Sequence, residues 1–394
     1  MKTILLPALA LAGSTLLWAG SDSHGELSSF LEVQPQKKKI LTPSLSYSFD
    51  HFENLSGGLS TGGTSIGLAD LGLDLDLKAL LGWQGATFTV SAFAPHGNDF
   101  SSNRVGDFGV VSNIFADTEF NIFRLQLVQE WGDSGNFIKV GQVAVDDDFM
   151  IAPTAELFIN STFVPFNTQS GNTPSPIFPL AAPGIVVHLN PWNNFFFTTG
   201  IYAGSSGEES SSNRGFDWDL GADAGYALFA QADYNYGRGT LSLGGYYHSG
   251  DFEDFSTGST VSGLSAFWAF VDHSLIDGSE KGGASVNAFA RASIAPQTER
   301  SVATSQFDGG IVLSNLLLSG DALGLACSFT NFGNDFLANS PDAGVTDSET
   351  IIELTYLLPL HENFTIQPDI QYIIDPHSSG ENAFVIGARS QITF

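Results

Sequence analysis

The chain ends AFVIGARSQITF, from Ala383 to Phe394, and two faces can be read off those residues. Phe384, Ile386, Ala388, Ile392 and Phe394 fall on one side, while Arg389, Gln391 and Thr393 fall on the other. A period of two with one apolar and one polar face is the signature of an extended strand. The same pattern occurs far upstream, where Leu71, Leu73, Leu75 and Leu77 alternate with Gly72, Asp74, Asp76 and Lys78. A helix would scatter those leucines around its axis. Ala86, Phe88, Val90 and Ala92 against Thr87, Thr89 and Ser91 read alike, as do Phe123, Leu125 and Leu127 against Arg124, Gln126 and Val128. So do Ala288, Ala290 and Ala292 against Asn287, Phe289 and Arg291, and Ile352, Leu354, Tyr356 and Leu358 against Ile351, Glu353 and Thr355. Ile366, Ile370, Tyr372 and Ile374 against Gln367, Asp369 and Gln371 complete the set.

Alternation also describes a soluble β-sandwich, so strand length and spacing have to decide. From Ile40 onward the chain divides into about sixteen segments of roughly ten residues, close to the 9–11 that cross a bilayer at a tilt. Short connections at Leu81 to Gln84, Gly132 to Gly135, Pro191 to Asn194, Gly237 to Gly239, Leu318 to Asp321 and Pro359 to Asn363 take turns with long ones. The long ones are His51 to Gly67, His96 to Thr118, Asp146 to Ala181, Gly204 to Asp223, Asn331 to Ser348 and Asp375 to Glu381. Tight turns at one end and loops at the other match a transmembrane antiparallel β-barrel, whose first and last strands must pair because lipid cannot satisfy an open edge. Trp83, Trp131, Trp192 and Phe364 lie at or near the short turns, where an interfacial aromatic girdle belongs. A secreted sandwich, the all-β alternative, gives no reason for that asymmetry.

Composition excludes other classes. Fourteen Lys+Arg against 42 Asp+Glu give a net charge of −28, and the only basic run is Lys37 to Lys39, so phosphate backbones are poor partners. The lone Cys327 precludes an intramolecular disulfide and is expected as a small buried or lipid-facing residue. Lys2, the apolar run from Ile4 to Trp18 and the small pair Ala19 and Gly20 have the form of a secretory signal cleaved near those residues. The run is short for the alternative, an uncleaved helical anchor. The expected organisation is a signal peptide at 1–20, a periplasmic lead at 21–39 and one barrel at 40–394.

Several stretches resemble the carbohydrate-selective porins of the OprB type in the outer membrane of Gram-negative bacteria. They are FRLQLVQEW (Phe123 to Trp131), VGQVAVDDDFMIAPTAELFINSTF (Val140 to Phe163), PLAAPGIVVHLNPWNNFFF (Pro179 to Phe197), NAFARASIAP (Asn287 to Pro296), and the whole of Glu353 to Phe394. The last is the most specific, with a QPD-QY-P strand and loop and a closing strand carrying Gly387, Arg389 and a terminal Phe394. The family commonly opens on an aspartate-tryptophan-glycine-glycine segment, which Ser21 to Lys39 lacks. The resemblance implies passive diffusion of small sugars or other polar solutes, no cofactor and no catalysis. It also implies a place in the outer-membrane bilayer as monomer or trimer, and recognition of the terminal Phe by the barrel insertion machinery. The negative charge keeps open a general or cation-preferring porin on the same barrel.

In such a channel the narrowest part of the lumen sets selectivity. Asp146 to Ala181 is the longest connection, and Leu157, Phe158, Ile159 and Phe163 would be costly to leave in water, so it is expected to fold inward. Alternation puts Arg124, Glu130, Arg291, Glu353, Asp369, Gln371, Arg389 and Gln391 on the lumenal face. Arginine and carboxylate groups there suit vicinal hydroxyls, and equally suit a ladder of ion pairs. Three other patterns carry less. Gly63-Thr64-Ser65-Ile66-Gly67 has the spacing of a nucleophile elbow, as an outer-membrane hydrolase would need, but is expected in a loop with no following helix. Asp146, Asp147 and Asp148 could hold calcium but read more simply as a solvated loop, and the eight histidines form no zinc-spaced cluster.

Overall fold

A computed structural model describes residues 40–117, 119–210, 212–278, 283–339 and 346–394. The expected signal peptide and lead segment lie outside the described residues. Sixteen strands make up the wall. They are β1 (Leu41–Ser56), β2 (Gly62–Asp76), β3 (Ala86–Gly97), β4 (Asn121–Trp131), β5 (Asn136–Val143), β6 (Ala182–Trp192), β7 (Phe195–Ala203) and β8 (Tyr226–Asn235). The second half is β9 (Gly239–Asp254), β10 (Ser259–Ile276), β11 (Ser285–Ile294), β12 (Ala303–Ser314), β13 (Ala322–Phe332), β14 (Ser348–His361), β15 (Phe364–Ile374) and β16 (Ala383–Thr393). Each pairs antiparallel with its neighbours, and β1 closes on β16 from Ser46↔Thr393 through Asp50↔Arg389. Closure leaves no unpaired edge for lipid to meet. Among the described residues no helix is long and apolar enough to cross a membrane.

The two faces of the wall follow the alternation. Leu71, Leu325, Leu354, Ile370 and Ile386 are exposed on the outside, with Cys327 among them between Leu325 and Phe329. Gln126, Asp308, Glu353, Gln371 and Arg389 are buried on the inside. Trp83, Trp131 and Trp192 are exposed at the turn end, where indole rings can sit at the bilayer surface.

Three local expectations change. The stretch His51 to Gly67 is not a long loop: β1 runs to Ser56 and β2 starts at Gly62, so the connection is only 57–61, and the Gly63 to Gly67 motif lies in extended strand. Leu77 and Lys78 leave the strand for a short helix, α1 (Leu77–Leu81), because Asp76 caps it by accepting the Ala79 N–H. Phe123 turns inward although Leu125 and Leu127 face out. The register of β3 on β4 slips between Ser91 and Ala92, which inserts one extra residue on β4 and lets the Phe123 ring pack 4.6 Å from Phe93.

The core of the molecule lies inside the barrel. The connection 144–181 enters the lumen, carrying α2 (Asn167–Ser170), and buries Val145, Phe149, Phe158, Phe163 and Phe166 against Phe229, Tyr246, Phe270 and Phe289 of the wall. A second loop, 98–120, also packs inward through Phe100, Val105, Val111 and Ile114 onto Phe52, Ile66, Ile351 and Ile373. Length and apolar clustering marked the first loop in the sequence; nothing singled out the second.

Candidate functional site

Pairing register builds the lumenal ion pairs. Arg291 on β11 stands opposite Asp308 on β12, and Arg389 on β16 opposite Asp50 on β1, and directly paired residues share a face. Arg291 Nε donates to Asp308 Oδ1 at 2.6 Å, and Arg389 Nε donates to Asp50 Oδ1 at 2.8 Å. Loop 144–181 brings the partners for the other two cations. Arg124 Nε donates to Asp147 Oδ2 at 2.6 Å, and Lys139 Nζ donates to Asp148 Oδ1 at 2.6 Å. Two of the three aspartates weighed as calcium ligands are therefore spent on the wall.

The same side chains hold the loops. Arg291 also donates to the Val164 and Thr162 carbonyls at 2.8 and 3.0 Å, and its guanidinium lies 4.7 Å from the Phe166 ring centre. Glu353 accepts the Ile159 and Asn160 N–H groups at 2.6 and 3.0 Å. Gln371 accepts from Asn160 Nδ2 at 2.9 Å and donates to the Val111 carbonyl at 3.0 Å, so it ties both inward loops to β15. Asp369 accepts from Gln371 Nε2 at 3.0 Å. Arg389 reaches Asn113 of loop 98–120 at 2.8 Å, and the Ser112 hydroxyl donates to Asp50 at 2.7 Å. Gln306 on β12, which sequence inspection missed, accepts the Asn167 N–H at 2.6 Å. Gly324 makes room for the contact: a Cβ there would lie 2.7 Å from Leu157 Cδ2 and 2.9 Å from Phe158 Cζ.

Of the residues expected at the pore lining, Arg124, Arg291, Glu353, Asp369, Gln371 and Arg389 converge inside the barrel, and Gln391 lies on the wall of the open space. Glu130 does not join them. It is exposed at the turn end of β4, where its N–H pairs with the Gly85 carbonyl. Ser65 does carry a histidine, with His51 Nδ1 2.9 Å from its Oγ. The pair is exposed and sits on two flat strands, without the strand-to-helix turn that presents a hydrolase nucleophile.

What the loops leave open is a cavity of about 460 Å³. On the wall side are Ser46, Ser48, Asp70 and Gln391 of β1, β2 and β16; on the loop side are Phe108, Asn113, Phe115, Asp146, Phe149, Met150, Glu156 and Phe178. Its remaining carboxylates are Asp99, Asp107, Asp117 and Glu209. Burial pushes the Glu156 carboxyl up to about 7, assisted by the Asp272 charge. Burial also raises the Asp107 and Asp146 carboxyls, with Asp147 adding repulsion on Asp146 and Asp99 on Asp107.

A carbohydrate-selective porin model, the OprB family, matches residues 60–394. The chain belongs to that family. Members of it are channels and not enzymes, and family and fold together imply the outer membrane. The barrel of this OprB-family chain is similar to Pseudomonas putida OprB at high pH, with TM-score 0.79 and 20% identity over 90% of this chain and 94% of that one. Salmonella typhi OmpF shares the fold at TM-score 0.57 and 8% identity over 89% and 97%. The DcaP channel of Acinetobacter baumannii does so at TM-score 0.53 and 11% identity over 90% and 97%. No curated protein matches the chain by sequence.

Proposed function

We propose that this protein is an outer-membrane porin through which small carbohydrates diffuse passively, with the path narrowed by loops 98–120 and 144–181. The observation that carries the reading is the cavity between the wall of β1, β2 and β16 and the inward loops, with polar groups on both sides and aromatic rings on the loop side. Hydroxyl, carboxylate and amide groups can exchange hydrogen bonds with sugar hydroxyls, and ring faces can receive the apolar faces of pyranoses. A site of this kind must bind weakly enough to release. Flux then follows the gradient, with no coupling to an energy source.

On this reading Arg124, Arg291, Glu353, Asp369, Gln371 and Arg389 set selectivity by positioning the loops, and solutes meet Gln391, Ser46, Ser48 and the loop faces. The organisation that fits is a signal peptide at 1–20, a lead at 21–39 and a barrel at 40–394, with Phe394 exposed for the insertion machinery. Liposome swelling tests the function. Glucose and a disaccharide should enter faster than an uncharged amino acid of glucose's size. Entry ordered by size alone would reduce the protein to a general porin.

A further inference from the structure

The outer wall changes character at the loop end of β1 to β3. Along β1, Leu45, Tyr47, Phe49 and His51 face outward in turn, paired with Leu71, Ala69, Gly67 and Ser65 of β2. Leu45 and Leu71 are exposed on this face. Higher up, the Tyr47 hydroxyl lies 2.8 Å from His96 Nε2 with the two rings stacked, an amphipathic pair of the kind that sits at a bilayer surface. Beyond it is a second cavity, of about 590 Å³, between the first residues of β2 and loop 98–120.

This cavity is rich in hydrogen-bond donors. Arg104, His51, Thr64, Ser65, Asn98 and Asn103 surround it, and none of the described lining residues is Asp or Glu, in a chain of net charge −28. Arg104 forms no ion pair. Its Nη1 donates to Ser60 Oγ at 3.1 Å and to the Thr61 carbonyl at 3.2 Å, which fixes the guanidinium and leaves Nη2 without a partner. With the Ser65 hydroxyl donating to His51 Nδ1 at 2.9 Å, the Nε2–H of that ring remains a donor. The Thr64 and Asn98 side chains make no hydrogen bond within the chain. Glu53 and Asp99 lie on adjoining backbone but outside the lining, and Asp99 Oδ1 accepts the Ser102 N–H at 2.9 Å. Two glycines keep the space open: a Cβ at Gly62 would lie 3.3 Å from Arg104 Cζ, and one at Gly63 would lie 3.4 Å from His51 Cε1. A fixed guanidinium with a free edge beside neutral donors is the set that phosphate oxygens take.

We propose that this cavity binds the phosphate group of a lipid in the leaflet that faces the loops, with the acyl chains lying on the outer wall at Leu45, Phe49 and Leu71. The inference goes beyond solute passage and does not depend on which solute crosses. A free anion would use the donors alone, whereas a lipid uses both the donors and the apolar wall that leads up to them. The Tyr47–His96 pair sets the depth: the cavity lies on its headgroup side, so the phosphate reaches Arg104 while the chains stay in the apolar band. The site also touches the pore. The Leu59 and Ser60 N–H groups donate to the Arg104 carbonyl at 2.9 and 3.0 Å, so a lipid held here braces the loop that packs into the lumen.

The test uses the full barrel refolded in detergent, with bound lipid counted by native mass spectrometry. The probes are lipid A, a phosphorylated glycolipid of Gram-negative outer leaflets, its dephosphorylated form, and inorganic phosphate. Lipid A should bind about tenfold more tightly than the dephosphorylated lipid, the size of one charge-assisted hydrogen bond. Arg104→Gln should remove about that factor, while Arg238→Gln, which takes an exposed cation from the turn between β8 and β9, should change nothing. Arg104 also holds the 57–61 turn, so Asn98→Asp supplies a second arm. It breaks no bond, places a carboxylate in the lining, and should weaken lipid A binding more at low salt than at high salt. Equal binding of the two lipids, or equal binding of lipid A by the wild type and both cavity variants, would overturn the inference. Displacement of lipid A by millimolar inorganic phosphate would overturn it as well, by showing a site for a free anion.

Discussion

Two regions of one lumen make a contrast. Along β10 to β15 the wall and loop 144–181 satisfy each other: Arg291 with Asp308 and two loop carbonyls, Glu353 with two loop N–H groups, Asp272 with both the N–H and the hydroxyl of Thr154. Along β1, β2 and β16 the wall faces open space lined by Asp70, Asp107 and Asp146 with no Lys, Arg or His among the lining residues, the Arg124 charge reaching Asp70 and Asp146 from its pair with Asp147. The polar groups of the first region hold a loop inside the barrel, and those of the second line the space assigned to solutes under the proposed function. Charge in a lumen is thus not by itself a sign of solute contact, because in the first region it serves to hold a loop.

The largest effect should come from breaking the satisfied side. Arg291→Met removes the partner of a fully buried Asp308 and frees the Thr162 and Val164 carbonyls, so it should cost about 3–5 kcal/mol in barrel stability. Urea unfolding reads that loss, and a larger single-channel conductance would report the slackened loop. Glu353→Ala should come next, because each buried N–H left unpaired costs about 1–3 kcal/mol and two are affected. Its conductance should rise in the same direction.

On the open side the expected effect is on selectivity and not on stability. The Glu156 carboxyl titrates near 7 and those of Asp107 and Asp146 are raised by burial, so these groups are largely neutral at acid pH and gain charge as pH rises. The cation preference measured as a reversal potential should therefore grow between about pH 6 and pH 8. A preference that is flat, or that falls over this window, would separate those carboxylates from the solute path. The smallest effect belongs to Glu130→Gln. At the exposed end of β4 it should leave conductance unchanged and stability within about 0.5 kcal/mol.

How legible all this was depended on which forces the sequence must record residue by residue. Lipid outside and water inside impose alternation on every strand, so Leu71 to Leu75 and Phe384 to Phe394 declared the wall directly. Places where geometry interrupts the alternation were opaque: the extra residue that turns Phe123 inward, and the Asp76 cap that lifts Leu77 out of β2. The loop end of β1 and β2 was mistaken for a connection because the outward positions His51 and Ser65 are polar and bond to each other. In the lumen, parity found the arginine of three ion pairs and missed Lys139, which pairs with Asp148. Asp308 and Asp50 could have been found by the same parity, given the register of β11 on β12 and β1 on β16. Asp147 and the inward turn of loop 98–120 depend on tertiary packing that no local pattern records.

Thiol accessibility measured during single-channel recording, on a Cys327→Ala background, tests the division of the lumen most directly. Ser46→Cys lies on the cavity wall and Ser328→Cys lies behind the loop, where Ser328 is buried against Thr162. A small positively charged thiol reagent should modify the first quickly and cut the current, and leave the second unmodified on the same timescale. Equal modification of both, or current loss only from the site behind the loop, would contradict the account.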